Sequence, residues 1–175
     1  LLAQQMACWN SDLQPALRDA GIHVLPHQEI SNTATKHLRE YFKEAILPAL
    51  TPLAFDAAHP FPHISNLCMN LAIVVIDADH RELFARLKVP RLFPRLLCVP
   101  HGFPPSLSAD GNPCAFVWIE ELIAANLDLL FPGCEVVAAY PFRVTRDADP
   151  DIKEDEAADL LLAIQESLRQ RHFGS

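Results

Sequence analysis

With 175 residues, half of them hydrophobic, the chain can bury a full core, and its composition excludes general disorder. A formal net charge of -8 counts against broad binding to nucleic acid or an anionic membrane, which selects for excess Lys and Arg. No apolar run approaches the roughly 18 residues of a membrane span, and no charged n-region precedes an apolar h-region, so the chain reads as soluble and non-secreted.

Cys8, Cys68, Cys98, Cys114 and Cys134 are odd in number and contain no C-x-x-C pair. That pattern favours reduced, mostly buried thiols over a disulfide framework or a zinc site. The first residue is Leu1, and Leu1 to Trp9 already has a mid-helix pattern, so the chain reads as a fragment beginning upstream.

Leu1 to Ala20 is helical in pattern but interrupted by Asn10, Ser11 and Asp12, where Ser11 or Asp12 could cap a second short helix with Pro15 in its first turns. Gly21 ends it, and Ile22 to Leu25 is a short extended segment. Thr35 to Ala49 places Leu38, Tyr41, Phe42, Ala45 and Ile46 along one face of an amphipathic helix, with Pro48 and Pro52 at its exit. Leu50 to Asn66 reads as a proline loop pinned by Phe55, Phe61 and Ile64. Leu67 to Ile76 is then a near-continuous apolar strand, and Asp77 to His80 turns the chain back into a strand over Leu83 to Val89.

Prolines punctuate the middle third, leaving strands at Arg95 to Val99 and Ala115 to Trp118 around a surface loop, His101 to Pro113. Ile119 to Leu130 carries a helical stripe that Pro132-Gly133 stops. Val136 to Val144 suits a half-buried strand, and after Pro150 the Asp151/Glu154 capping box starts a helix whose acidic first turns and Arg171-His172 end suit the macrodipole. The sum is an α+β domain with one mixed β-sheet of about five short strands packed with about four helices.

Several residues could carry chemistry. His59 and His63 have the spacing of a helical metal site, but Pro60 and Pro62 exclude that helix, and a structural role in the proline loop is favoured over phosphotransfer. Arg143 and Arg146 could grip phosphate bidentately or pair with Asp147 and Asp149; the two readings weigh equally. Arg81, Arg86, Lys88, Arg91 and Arg95 stand against the single acid Glu82. Arg86 and Lys88 share one face of a strand, which is most often a solvated outer face but would also attract a phosphate-rich polymer. No P-loop, Rossmann fingerprint or serine nucleophile elbow occurs, and no metal site is expected.

Leu50 to Asp56, His59 to Asn66, Phe142 to Asp149 and the acidic helix ending Arg171-His172-Phe173-Gly174 closely resemble motifs of the long-chain bacterial polyphosphate kinase family. The resemblance implies a parent enzyme that reversibly transfers the terminal phosphate of ATP to polyphosphate through a phosphohistidine, with Mg²⁺ and ATP as its requirements. It implies that residues 1–20 end an upstream helical domain and that 21–175 form the head, or middle, domain. Dimer contact and lining of the polyphosphate tunnel follow for this piece. So do no catalytic residue, no bound cofactor, partners in the rest of the same polypeptide, a homodimeric parent, polyphosphate rather than nucleic acid, and a cytoplasmic place at most peripheral to the inner membrane face. The family's catalytic histidines and metal-binding arginines lie beyond Ser175. Only Arg143 and Arg146 stand as candidates for phosphate contact, and the stretch Ile76 to Cys114 matches no motif. The alternative is a free-standing anion-binding or dimerisation module with no enzymatic parent.

Overall fold

Two helical stretches begin the chain, and each passes through a widened turn just before a proline. A computed structural model describes residues 2–55, 64–99 and 114–145. The chain separates into two compact units, residues 1–49 with 90–127 and residues 50–89 with 128–175.

In the first unit, α1 (Leu2–Cys8) runs through a π-helical turn, Trp9–Leu13, into α2 (Gln14–Asp19). The expected break at Asn10-Ser11-Asp12 is therefore a change of helical register. Leu13 keeps helical dihedrals, and no side chain caps α2. The cause is Pro15, which lacks an N–H and whose ring would collide with the carbonyl four residues back. Instead Gln14 donates its N–H to Trp9 O, five residues back. The same device recurs in α3 (Asn32–Tyr41), which continues through a π turn, Phe42–Ile46, to a 3₁₀ turn, Leu47–Ala49. There Leu47 N–H reaches Phe42 O, directly ahead of Pro48. The helix expected over 35–49 thus exists and starts three residues earlier, where Ser31 Oγ accepts from Ala34 N–H at 3.3 Å. Ala34, Leu38, Phe42 and Ile46 are its buried line.

Gly21, at φ +77°, closes α2 with its N–H on Arg18 O at 2.9 Å. β1 (Ile22–Val24) then pairs in parallel with β6 (Cys114–Trp118), Ile22 opposite Cys114, and β5 (Leu96–Cys98) pairs antiparallel on the other side of β6. Ala115, Val117, Leu97 and Val99 alternate inward from this mixed sheet. α4 (Ile119–Ala124) follows, burying Ile119, Leu122 and Ile123. It is shorter than the expected helix over 119–130, whose remainder is a 3₁₀ turn at Leu127–Leu129.

The second unit holds an antiparallel sheet in the order β2-β4-β3-β7: β2 (Pro52–Phe55), β3 (Met69–Ile76), β4 (Glu82–Lys88) and β7 (Glu135–Arg143). The expected β3–β4 hairpin is present. In its turn the Asp77 carboxylate accepts from Asp79 N–H and Arg81 N–H, both at 2.9 Å. The β3–β7 ladder shifts register between Val74 and Val75, leaving Val137 as a bulge. Pro141 is tolerated because β7 is an edge strand. β2 was expected to be loop, yet a proline as first residue of an edge strand costs no interior ladder bond.

The α+β class holds. The strands are shared between two sheets where one was expected, since a strand pattern reveals its faces but not its partner. The helix expected after Pro150, the loop His101 to Pro113, and His59 and His63 lie outside the described residues.

Candidate functional site

Side chains alternate across a sheet, and residues opposite one another in the ladder share a face. Taking the rows of the four-stranded sheet in turn, Leu71, Ile73 and Val75 of β3 lie level with Leu87, Ala85 and Leu83 of β4. Leu71, Ile73, Val75, Ala85 and Leu87 are all buried, so this face is apolar core. Arg143 belongs to the same face, opposite Met69 at the end of β7, where it is exposed.

The opposite face is mixed. Asn70 stands across from Lys88 and Phe142; Ala72 stands across from Arg86 and Tyr140; Val74 stands across from Phe84 and Ala138. β2 extends the second row, with Leu53 opposite Arg86. Ile76 lies level with Glu82 and Glu135 at the far end. This face is cationic at one end and acidic at the other.

Arg86 is only 9% exposed, which corrects the reading of the Arg86/Lys88 strand as a solvated outer face. Three strands surround it: Ala72 and Leu53 lie level with it, and a short alanine leaves room for a long side chain to lie along the sheet. Burial lowers the pKa of this guanidinium from its usual value, and the Cys68 thiol opposes that shift. It remains a cation at any working pH. The group takes part in an interaction within the chain, while its Nε–H makes no hydrogen bond. Lys88 is exposed at the cationic end. Across from it, buried Asn70 donates Nδ2–H to Cys68 O at 2.9 Å and leaves Oδ1 without a hydrogen bond.

The basic run is thus dispersed. Arg81 is tied to Asp77 at 2.8 Å and to Asp79 at 2.9 Å in the hairpin turn. Arg95 belongs to the other unit, where its Nη2 reaches Glu120 Oε1 at 2.6 Å and its guanidinium lies 5.1 Å from the Trp118 ring centre. Trp9 meets the same ring at 6.1 Å. This Trp9, Trp118, Arg95 and Glu120 group was not anticipated. Its members are scattered along the chain, and no local spacing announces it.

Arg143 and the Arg86/Lys88 pair occupy opposite faces, so they do not converge on one anion. Arg146 lies outside the described residues. Among the described residues no three His, Cys, Asp or Glu side chains are grouped so that they could hold a metal ion. No helix among them is long and apolar enough to cross a membrane.

Comparison with known proteins gives a consistent result. The family model described as the polyphosphate kinase middle domain matches residues 33–175. A polyphosphate kinase from Aphanizomenon baltica is 47% identical over 99% of this chain and 45% of its own length. One from Prosthecochloris aestuarii is 42% identical over 98% of this chain and 24% of its own. The crystal structure of polyphosphate kinase from Porphyromonas gingivalis superposes with a TM-score of 0.72 at 26% identity, covering 85% of this chain and 22% of that one. The chain therefore spans less than half the length of these relatives.

Proposed function

Since the chain belongs to the polyphosphate kinase family, whose middle domain it matches, we propose that it is the head domain of an ATP:polyphosphate phosphotransferase. Its own work is to scaffold: it contributes dimer contact and one wall of the path along which the phosphate polymer runs. The observation that carries this reading is the breadth of the middle-domain match set against relatives of which the chain spans only 22–45%.

In this reading ATP, Mg²⁺ and the phosphorylated histidine belong to other domains of the same polypeptide. Residues 1–20 close an upstream helical domain and 21–175 form the head. One feature bears on that division: the first helices leave Met6 60% and Leu13 51% exposed, apolar surface suited to packing against further helices. The parent would be a cytoplasmic homodimer.

The test compares ATP-dependent polyphosphate synthesis by the chain alone and by the chain within its complete polypeptide. Product is expected only from the latter. Turnover by the chain alone would overturn the scaffold role, and none from the complete polypeptide would overturn the kinase assignment.

A further inference from the structure

We propose that Cys98 and Cys114 form a two-thiolate site for a soft monovalent metal ion, copper(I) in class, on the open face of the three-stranded sheet. The site goes beyond the function proposed above and does not rest on it.

Register brings the two thiols together. Cys98 ends β5 and lies opposite Phe116 of β6, and the Val99 N–H to Ala115 O bond at 2.8 Å carries the ladder one pair further. Cys114 begins β6, two positions before Phe116, so it is the diagonal neighbour of Cys98. Residues two apart on a strand share a face. Leu97, Ala115 and Val117 fill the other face as core, whereas Cys98 and Cys114 are both exposed. Cys114 is also held from its far side by β1, with Ile22 as its partner and its N–H on Gly21 O at 3.0 Å. Of the five cysteines only Cys68 is buried, so the expectation of mostly buried thiols does not extend to this pair. No C-x-x-C spacing announces it, because the ladder and not the local chain makes these two neighbours.

Spacing then selects what they can share. Diagonal neighbours have Cα atoms about 7–8 Å apart, beyond the roughly 4.4–6.8 Å that a disulfide spans. A direct sulfur–sulfur bond would have to pull the strands out of register, so the pair persists as two thiols. One atom placed between the sulfurs removes the mismatch. Two metal–sulfur bonds of about 2.3 Å laid end to end hold the sulfurs about 4.6 Å apart, against about 2.05 Å in a disulfide.

Ligand number selects the ion. No group of three His, Cys, Asp or Glu side chains forms here or elsewhere among the described residues. A structural zinc ion takes four ligands, whereas copper(I) is soft, prefers thiolate and accepts two ligands in line. On binding, two S–H bonds break, two copper–sulfur bonds form and both protons pass to water; no electron changes hands. Cys114 takes part in another interaction within the chain, but a thiol is only a weak hydrogen-bonding group, so its sulfur stays available to a soft ion.

The test titrates the full chain with copper(I), without oxygen and in a thiol-free reductant, against the coloured chelator bathocuproine disulfonate. One equivalent per chain is expected to be retained, with two sulfur neighbours by X-ray absorption. Cys98→Ser and Cys114→Ser should each weaken retention about a hundredfold, since the second thiolate must then come from solution at a far lower effective concentration. Cys8→Ser, an exposed change on α1, should leave it as it was. Thermal melts of the metal-free variants establish folding, and if one of the two site variants is not folded the other still decides.

No retained copper(I), or equal retention by a folded Cys98→Ser or Cys114→Ser variant, would overturn the inference. Half an equivalent per chain, with dimers forming as copper(I) is added, would overturn it too, since the ion would then bridge two copies. Zinc held as tightly as copper(I) would overturn the class of ion. The head-domain reading is judged separately, by polyphosphate synthesis from the complete polypeptide.

Discussion

Arg95 donates from both Nε (3.2 Å) and Nη2 (2.6 Å) to a single carboxylate oxygen of Glu120, while the second oxygen, Oε2, is buried without a hydrogen bond. The pair is lopsided in exposure, since the Arg95 side chain is 47% exposed and that of Glu120 only 9%. Removing the arginine strands a buried carboxylate; removing the glutamate releases a cation that water can solvate. Arg95→Ala should therefore cost about 2 kcal/mol, below the usual cost of breaking a fully buried pair because water reaches the site. Glu120→Gln should cost less. The double change Arg95→Met with Glu120→Leu should cost less than Arg95→Ala, as urea midpoints would register. A double variant no more stable than Arg95→Ala would contradict this account.

Gly21 occupies the left-handed position after α2, and a Cβ added there would meet nothing within 4 Å. Gly21→Ala is thus a test of backbone conformation alone. It should lower stability by about 1 kcal/mol, and Gly21→Asn by less, because asparagine tolerates this region. Equal stability of the alanine variant would show that the turn relaxes to another conformation.

His27 provides the pH dependence. Burial holds its imidazole pKa below the ordinary 6.5, and the nearby Glu121 carboxylate offsets part of that shift. The unfolded chain therefore binds a proton more readily than the folded one. The contribution to stability is complete above pH 6.5 and is lost progressively as pH falls from there through the folded value. His27→Gln should flatten the stability profile in that window, measured by denaturant unfolding at a series of pH values. An unchanged slope would assign the dependence to another group.

What could be read from the chain depended on how local each cause was. Leu67 to Ile76 and Leu83 to Val89 declared a hairpin because apolar β-branched residues and an Asp-rich turn sit side by side. Gly21 declared a helix end for an equally local reason. The division into two sheets was hidden because β1 and β6 come from distant parts of the chain, so no window contains both. β2 was hidden by Pro52, read as a breaker where an edge strand tolerates it. Of the candidate site, strand alternation correctly placed Arg86 and Lys88 on one face. The burial of Arg86 was not legible, because the walls around it come from β2 and β3 as well as its own strand. The opposition of Arg143 to that pair likewise depends on the β3–β7 register.

The order in which the two units draw on the chain has a consequence for synthesis. Each unit is assembled from two separate stretches, so the polypeptide passes from one to the other three times, near residues 49, 89 and 127. A cut near residue 89 divides both units, whereas one near 49 divides only the first and one near 127 only the second. As the chain emerges from the ribosome, the β3–β4 hairpin can form early because its ends are neighbours. The β1–β6 pairing must wait for Cys114 to Trp118 and then close a loop of nearly the whole intervening chain, at an entropic cost that grows with the logarithm of its length. By that cost the antiparallel hairpin is cheaper to close than the parallel pairing.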